Sequence, residues 1–316
     1  MAIPAATGYP QYSGSLIQPH FYPRFLMRSY AETLLKDITT TSYNGPLNQF
    51  GDQVTFKREP NARIRRYTKN IRLQTDTPEI DTTTLTVVEG FYWNYKLVRV
   101  DMKQIRNADE LQSILIASGG RAVGYAQEKS VLAKMIRDAA PYNKGINAGL
   151  NSRNVNLGAV GNPLQITGGN LLEFFARCNQ VMAESNVWES GEMFMILPPA
   201  ATAPLFTSPL SNAFVTGLPR SFIVDASGQP LRNLDPAGFR LLGSNFVPTV
   251  YDTTANAQCS FIIFGRRNAT GYVQQLSDAD VIKSEHFFGH YFRGLAIFGH
   301  KPLFPEQLGV AYVRFN

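Results

Sequence analysis

Three of the four histidines, His286, His290 and His300, fall within residues 285–306, EHFFGHYFRGLAIFGHKPLFPE. Two histidines four residues apart share one face of a helix, as in the zinc-binding pattern H-E-x-x-H. That chemistry needs a glutamate directly after the first ligand and a third ligand nearby. Here Glu285 precedes His286, the intervening residues are Phe287, Phe288 and Gly289, and Gly294 and Gly299 follow. Each glycine costs a helix about 1 kcal/mol relative to alanine, so this run is a poor helix. Alternation suits it better, with Tyr291, Arg293, Leu295 and Ile297 on one side and Phe292, Ala296 and Phe298 on the other. A strand would hold His286 and His290 about 13 Å apart, too far to share a metal. These histidines are read as structural.

The other motifs are equally plain. GNPLQITGGN, residues 161–170, lacks the Gly-Lys-Ser/Thr ending of a phosphate loop, and there is no G-x-S-x-G elbow. Asp278 and Asp280, in SDADV, read as a turn, and Asn268-Ala269-Thr270 is a glycosylation site by pattern only. Cys178 and Cys259 lie far apart in apolar stretches and read as buried free thiols in a reducing compartment. The start, MAIPAATGYPQYSG, does not have the form of a signal peptide, and no apolar run reaches the roughly 18 residues that span a bilayer. The expectation is a soluble protein made in a cytoplasm: no enzyme, no cofactor, no metal, no membrane.

The elements around these residues are of several kinds. Residues 1 to about 45 are rich in Pro, Gly, Tyr and Thr, with one short helical stretch, FLMRSYAETLLKDI, and read as an arm that lies on something else. Strands follow: DQVTFKRE, then TTTLTVVEGFYWNYKLVRVD with Phe91, Trp93, Tyr95 and Leu97 on one face. A helix of about thirty residues, some 45 Å long, follows a cap at Asn107 or Asp109 and stops at Pro141. Gly119-Gly120 in its middle predicts a kink or a close packing contact. Residues 142–168 form a Gly/Asn-rich connection, and the stripe Leu171, Phe174, Phe175, Cys178, Met182 marks a second helix. Beyond it come the strands EMFMILP, SFIVD, GFRLLGSNFVP, CSFIIFG and GYVQQL, with a helix start at PPAATAPLF.

Charge is divided along the hairpin. Residues 51–72 carry seven bases (Lys57, Arg58, Arg63, Arg65, Arg66, Lys69, Arg72) against Asp52 and Glu59, whereas residues 73–89 carry Asp76, Glu79, Asp81 and Glu89 with no base. A two-stranded ribbon with one basic and one acidic limb is marginal alone. Pairing of these charges between copies of the chain is the reading adopted. The alternative is a nucleic-acid-binding oligomer that grips phosphates with residues 57–72 and stacks bases on Phe56 and Tyr67. Overall charge, +6 with a pI near 9.3, permits either. At 17% charged and 12% aromatic residues, the chain has surface to hide against partner subunits.

Several phrases, in their order, resemble the major capsid proteins of tailed bacteriophages with the Hong Kong 97-like fold. GDQVTFKREP looks like the entry to that family's extended loop (E-loop), and LVRVDMKQIRNADELQS like the strand that leads into its spine helix. SNVWESGEMFMILPPAATAPLF, GFRLLGSNFVP and the closing EHFFGHYFRGLAIFGHKPLFPEQLGVAYV match its later segments. The resemblance, from about Ala31 onward, implies an α+β capsid fold. Its parts would be an N-terminal arm at 1–50, an extended β-hairpin E-loop at 51–100, a peripheral (P) domain at 101–168 and 271–316 with a spine helix at 108–140, and an α/β axial (A) domain at 169–270. It also implies hexamers and pentamers of an icosahedral head around double-stranded DNA, assembled in a host cytoplasm, with a portal and at times a cement or decoration protein. Because the chain begins almost directly with the arm, a separate scaffolding protein is expected. Some relatives form a Lys–Asn isopeptide bond from the E-loop; Lys57 and Lys69 are suitably placed, but no partner is identifiable and no cross-link is expected.

Overall fold

The computed structural model describes residues 33–41, 53–60, 63–70, 72–77, 80–100, 108–189, 192–208, 238–286 and 288–315, with the side chains of Val54, 108–110 and 275–277 left aside. The chain is α+β, with helices packed on two larger sheets and a separate two-stranded ribbon. Most of the expected first helix, and the expected strand SFIVD, lie outside the described residues; the short helix α1 is Leu35–Ile38.

A six-stranded sheet holds the centre of the core. Its path runs β4 (Leu164–Ile166), β11 (Leu308–Phe315), β8 (Ala257–Arg266), β5 (Met193–Leu197), β6 (Phe239–Gly243), and β7 (Thr249–Asp252) also pairs with β8. Strand β5, MFMIL, is buried at every position, and its side chains alternate between two cores. Met193, Met195 and Leu197 join one core with Phe174, Phe175, Cys178 and Met182 of helix α3 (Leu171–Glu184). Phe194 and Ile196 point the other way, into a core with Leu35, Ile38, Val131, Leu132 and Met135. A strand covered on both faces reads as a continuous apolar run, which is why EMFMILP shows no alternation. Helix α4 (Thr202–Thr207) follows a single 3-10 turn at Pro199–Ala201, and Cys178 and Cys259 are buried free thiols.

The second sheet has the order β3 (Glu89–Val98), β10 (Gly289–Pro302), β9 (Thr270–Lys283), all antiparallel. Period-2 burial along β3 puts Phe91, Trp93, Tyr95 and Leu97 on the partly covered face and leaves Tyr92, Asn94 and Lys96 exposed. Asp278 and Asp280 are not in a turn. They lie within β9, opposite Leu295 and Arg293, because pairing with a 14-residue β10 outweighs the weak strand propensity of Asp.

Helix α2, Ala108–Asp138, spans 31 residues and crosses both sheets. Its C-terminal half buries Val131, Leu132 and Met135 against the six-stranded sheet, while Gly119 meets the second sheet. A Cβ at Gly119 or at Gly294 of β10 would land on the Trp93 ring. The indole thus fills a slot that exists because two facing positions have no side chain, which settles the Gly119-Gly120 question as close packing at Gly119. Gly120 faces open space. Among the described residues no helix is long and apolar enough to cross a membrane.

We expect Gly119→Ala to destabilise the chain by about 1–3 kcal/mol through overpacking. Gly120→Ala should be neutral or stabilising by up to about 1 kcal/mol, because only helix propensity changes. Urea unfolding of the two variants measures the contrast; equal effects would contradict the slot.

Candidate assembly surface

The hairpin that carries the divided charge has a stem and a tip with different environments. The stem pairs β1 (Gln53–Lys57) with β2 (Thr82–Thr86), and it docks on its own chain. Leu85 is fully buried against Val273, with Phe56 and Val87 packed around the pair. Lys301 Nζ donates to the Thr84 carbonyl at 2.9 Å, and a Cβ at Gly299 would come within 2.5 Å of the Thr86 carbonyl oxygen. Bare backbone in β10 is therefore what lets the stem lie across the second sheet.

Beyond the stem the described side chains from Arg63 to Thr77 are exposed. Ile64 is 93% exposed, Leu73 76% and Tyr67 73%, an unusual run of apolar surface for a chain standing alone. Arg63, Arg66, Lys69 and Arg72 are exposed and form no ion pair among the described residues, nor does Lys57 at the end of β1. Arg65 does find a partner, Asp76, at 2.7 Å across the loop, and its Nη1 donates to the Gln74 carbonyl at 3.3 Å. Arg58 turns back to its own chain, 2.5 Å from Glu306 and 5.3 Å from the centre of the Phe304 ring. Asp81 is exposed, and its carbonyl accepts the Arg58 N–H at 2.8 Å. Glu89 is half-buried at the head of β3, where it accepts the Ser130 hydroxyl of α2 at 2.5 Å. Glu79 lies outside the described residues. Among the described residues of one chain, then, Arg58, Arg65, Asp76 and Glu89 have partners, while Arg63, Arg66, Lys69 and Arg72 form no ion pair.

The histidines are scattered. His286 is exposed in the β9–β10 turn, His290 sits in β10 opposite Leu97 and Lys283, and His300 is buried with Nε2 at 3.9 Å from Glu89 Oε1. Among the described residues no group of three His, Cys, Asp or Glu side chains could hold a metal ion. Burial holds His300 below its ordinary value, against the opposing pull of Glu89.

Two acidic residues that sequence reasoning missed tie distant parts of the chain together. Glu128 is 1% exposed, accepting the Leu34 N–H at 3.1 Å and the Ser244 hydroxyl at 2.6 Å. It joins the segment leading to α1, the long helix and the turn after β6 in one contact, across 94 and 116 residues of chain. No local pattern marks such a residue. Glu306, which anchors Arg58 across 248 residues, is equally silent in sequence.

No protein-family model matches the chain, and neither does any curated protein sequence. Solved structures do. A structure described as Mycobacterium phage Che8 superposes with a TM-score of 0.70 at 15% identity, over 96% of this chain and 97% of that one. The capsid structure of Cyanophage P-SCSP1u gives 0.64 at 14% identity, covering 95% and 94%. The asymmetric unit of the bacteriophage PhiM1 mature capsid gives 0.62 at 13% identity, covering 95% and 92%. The chain has the fold of a phage capsid protein. In each of these comparisons the match extends over nearly the whole length of both chains.

Burial raises the Glu128 carboxyl above its ordinary value of 4.5, opposed by its bonds to Ser244 and Leu34. The folded chain therefore holds this proton more tightly than the unfolded chain. Its contribution to stability is present below about pH 4.5 and is lost as pH rises through the folded value. Glu128→Gln, which keeps an acceptor and drops the charge, should raise the thermal midpoint at pH 7 relative to the parent chain and leave it little changed at pH 4. A variant that loses more at pH 7 than at pH 4 would contradict this.

Proposed function

We propose that this chain is the major capsid protein of a tailed bacteriophage. Copies assemble into hexamers and pentamers of an icosahedral head that encloses double-stranded DNA, and the chain resides in the virion after assembly in the host cytoplasm. The observation that carries the reading is the whole-length capsid fold, together with a hairpin anchored on its own sheet whose tip holds out exposed apolar side chains and cations that form no ion pair among the described residues.

In this reading residues 1–50 are the arm and 51–100 the E-loop of a Hong Kong 97-like fold. Residues 101–168 and 271–316 form the peripheral domain on its spine helix, and residues 169–270 the axial domain. Lys57, Arg63, Arg66, Lys69 and Arg72 supply charge to neighbouring copies, with Asp81 and Glu79 on the acidic limb; Arg58, Arg65, Asp76 and Glu89 shape the loop from within. Each such contact at a wet rim contributes under about 1 kcal/mol, but a closed ring repeats it at every interface. A separate scaffolding protein and a portal are the further partners, a decoration protein has room to bind, and packaged DNA is touched without sequence preference.

A second reading keeps the same side chains. Arg63, Arg66, Lys69 and Arg72 around an exposed Tyr67 are suited to phosphates and a stacked base. It requires a small oligomer whose affinity for nucleic acid falls steeply with salt.

Electron microscopy of the purified protein separates the two. Shells or capsomers are expected for the parent chain, and Arg63→Glu with Arg66→Glu should lower particle yield about tenfold or more while the far-UV spectrum is retained. A small oligomer with salt-sensitive nucleic-acid binding, lost on the same changes, would replace the shell reading with the second one.

A further inference from the structure

A buried imidazole lies where the hairpin stem leaves the second sheet. The side chain of His300 in β10 is only 2% exposed and stacks on the Phe298 ring, 5.8 Å between centres and 14° between planes. Its neighbour Gly299 is the bare position over which the backbone of Thr86 and Val87 passes, so the ring sits beside the point where β2 leads into β3. Nδ1 is buried and forms no hydrogen bond of ordinary geometry among the described residues, and Nε2 stands 3.9 Å from Glu89 Oε1, beyond hydrogen-bond reach. Glu89 is engaged elsewhere, its other oxygen accepting the Ser130 hydroxyl of α2. An unsatisfied, titratable ring thus occupies the meeting point of β3, β10 and α2.

The groups around the ring do not support a second proton. From α2, Lys134 opposes the cation, while the Ser130 backbone and Asp138 favour it; Asp138 is itself paired with Lys134 at 3.2 Å and Arg137 at 3.0 Å. From β9, Tyr272 stands opposite His300 as a neutral phenol, pushed up to about 12 by burial. Strand β2, TTTLT, brings no titratable side chain, and Lys301 is turned to the Thr84 carbonyl. Burial outweighs the pull of Glu89, so the closed joint holds His300 below its ordinary 6.5. Closure is therefore fully favoured above about pH 6.5 and weakens as pH falls from there toward the folded value. We propose that His300 is a proton-sensitive latch of the hairpin root: the neutral ring keeps the stem seated, and its protonation releases residues 82–89 from the second sheet and from Ser130 while the two main cores stay closed. The stem is the part able to yield, because its core is only Leu85 and Val273 with Phe56 and Val87 around them, against the far larger clusters on either side of the six-stranded sheet. Glu128, also buried on α2, shifts in the opposite sense and gives no account of loosening in acid. The latch is a property of one chain and does not depend on the shell reading.

Amide hydrogen exchange of the full chain in solution, corrected for the intrinsic effect of pH on exchange, tests the latch. Between about pH 7.5 and about pH 5.5 the protection of residues 82–89 should fall several-fold, while residues 260–264 and 309–313 of the central sheet keep theirs. His300→Gln and His300→Phe, which place no titratable group in the joint, should each abolish the fall. Glu89→Gln should deepen it, because the carboxylate that favours the cation is gone. A stem whose protection does not change with pH, a fall as steep in either His300 variant as in the parent, or loosening of the central strands together with the stem would each overturn the latch.

Discussion

Strand β10 must be bare at two points, and the arrangement of the molecule depends on it. At Gly294 the missing side chain makes room for Trp93, which Gly119 of the long helix covers from the other side. At Gly299 it makes room for the backbone of Thr86 and Val87 as the hairpin stem passes over. One strand thereby fixes the height of the helix above the sheet and the point at which the hairpin leaves it. Any side chain at either glycine would push a neighbour outward, and close-packed interiors transmit such strain instead of absorbing it.

The hairpin is consequently two structures in one. Its stem is a part of the fold, with Leu85 fully buried and Thr84 tied to Lys301. Among the described residues its tip is held by Arg65, which donates to the Gln74 carbonyl and pairs with Asp76, a pair exposed enough to contribute less than about 1 kcal/mol. It is well packed at the root and thinly supported at the end. That division is what the proposed role between molecules requires: a root that sets direction and a tip left for contact.

Sequence reasoning reached the parts whose cause is local. Period-2 burial in β3 and β10, the apolar stripe of α3 and the length of α2 all follow from side-chain spacing, and each is present as read. The Gly119-Gly120 pair signalled close packing, though only the structure names Trp93 as its cause and separates the two glycines. Asp278 and Asp280 were misread as a turn, since a residue's own propensity says little when a long partner strand lies alongside. The charges on the hairpin are visible in sequence, but which of them find partners is not. Arg58 meets Glu306 across 248 residues, and Arg65 meets Asp76 across 11. Nothing short-range distinguishes these two arginines from Arg63 and Arg66, which form no ion pair among the described residues. Glu128 is the extreme case: a buried carboxylate on a helix reads as a surface residue until its two distant donors are seen.

The central claim is that the stem belongs to the monomer and the tip to its neighbour. Amide hydrogen exchange, compared between the dissociated chain and assembled particles, addresses it most directly. Residues 82–87 should be protected in both states, whereas residues 63–77 should exchange freely in the dissociated chain and become protected in the particle. Protection of residues 63–77 before assembly, or free exchange of them afterwards, would contradict the account.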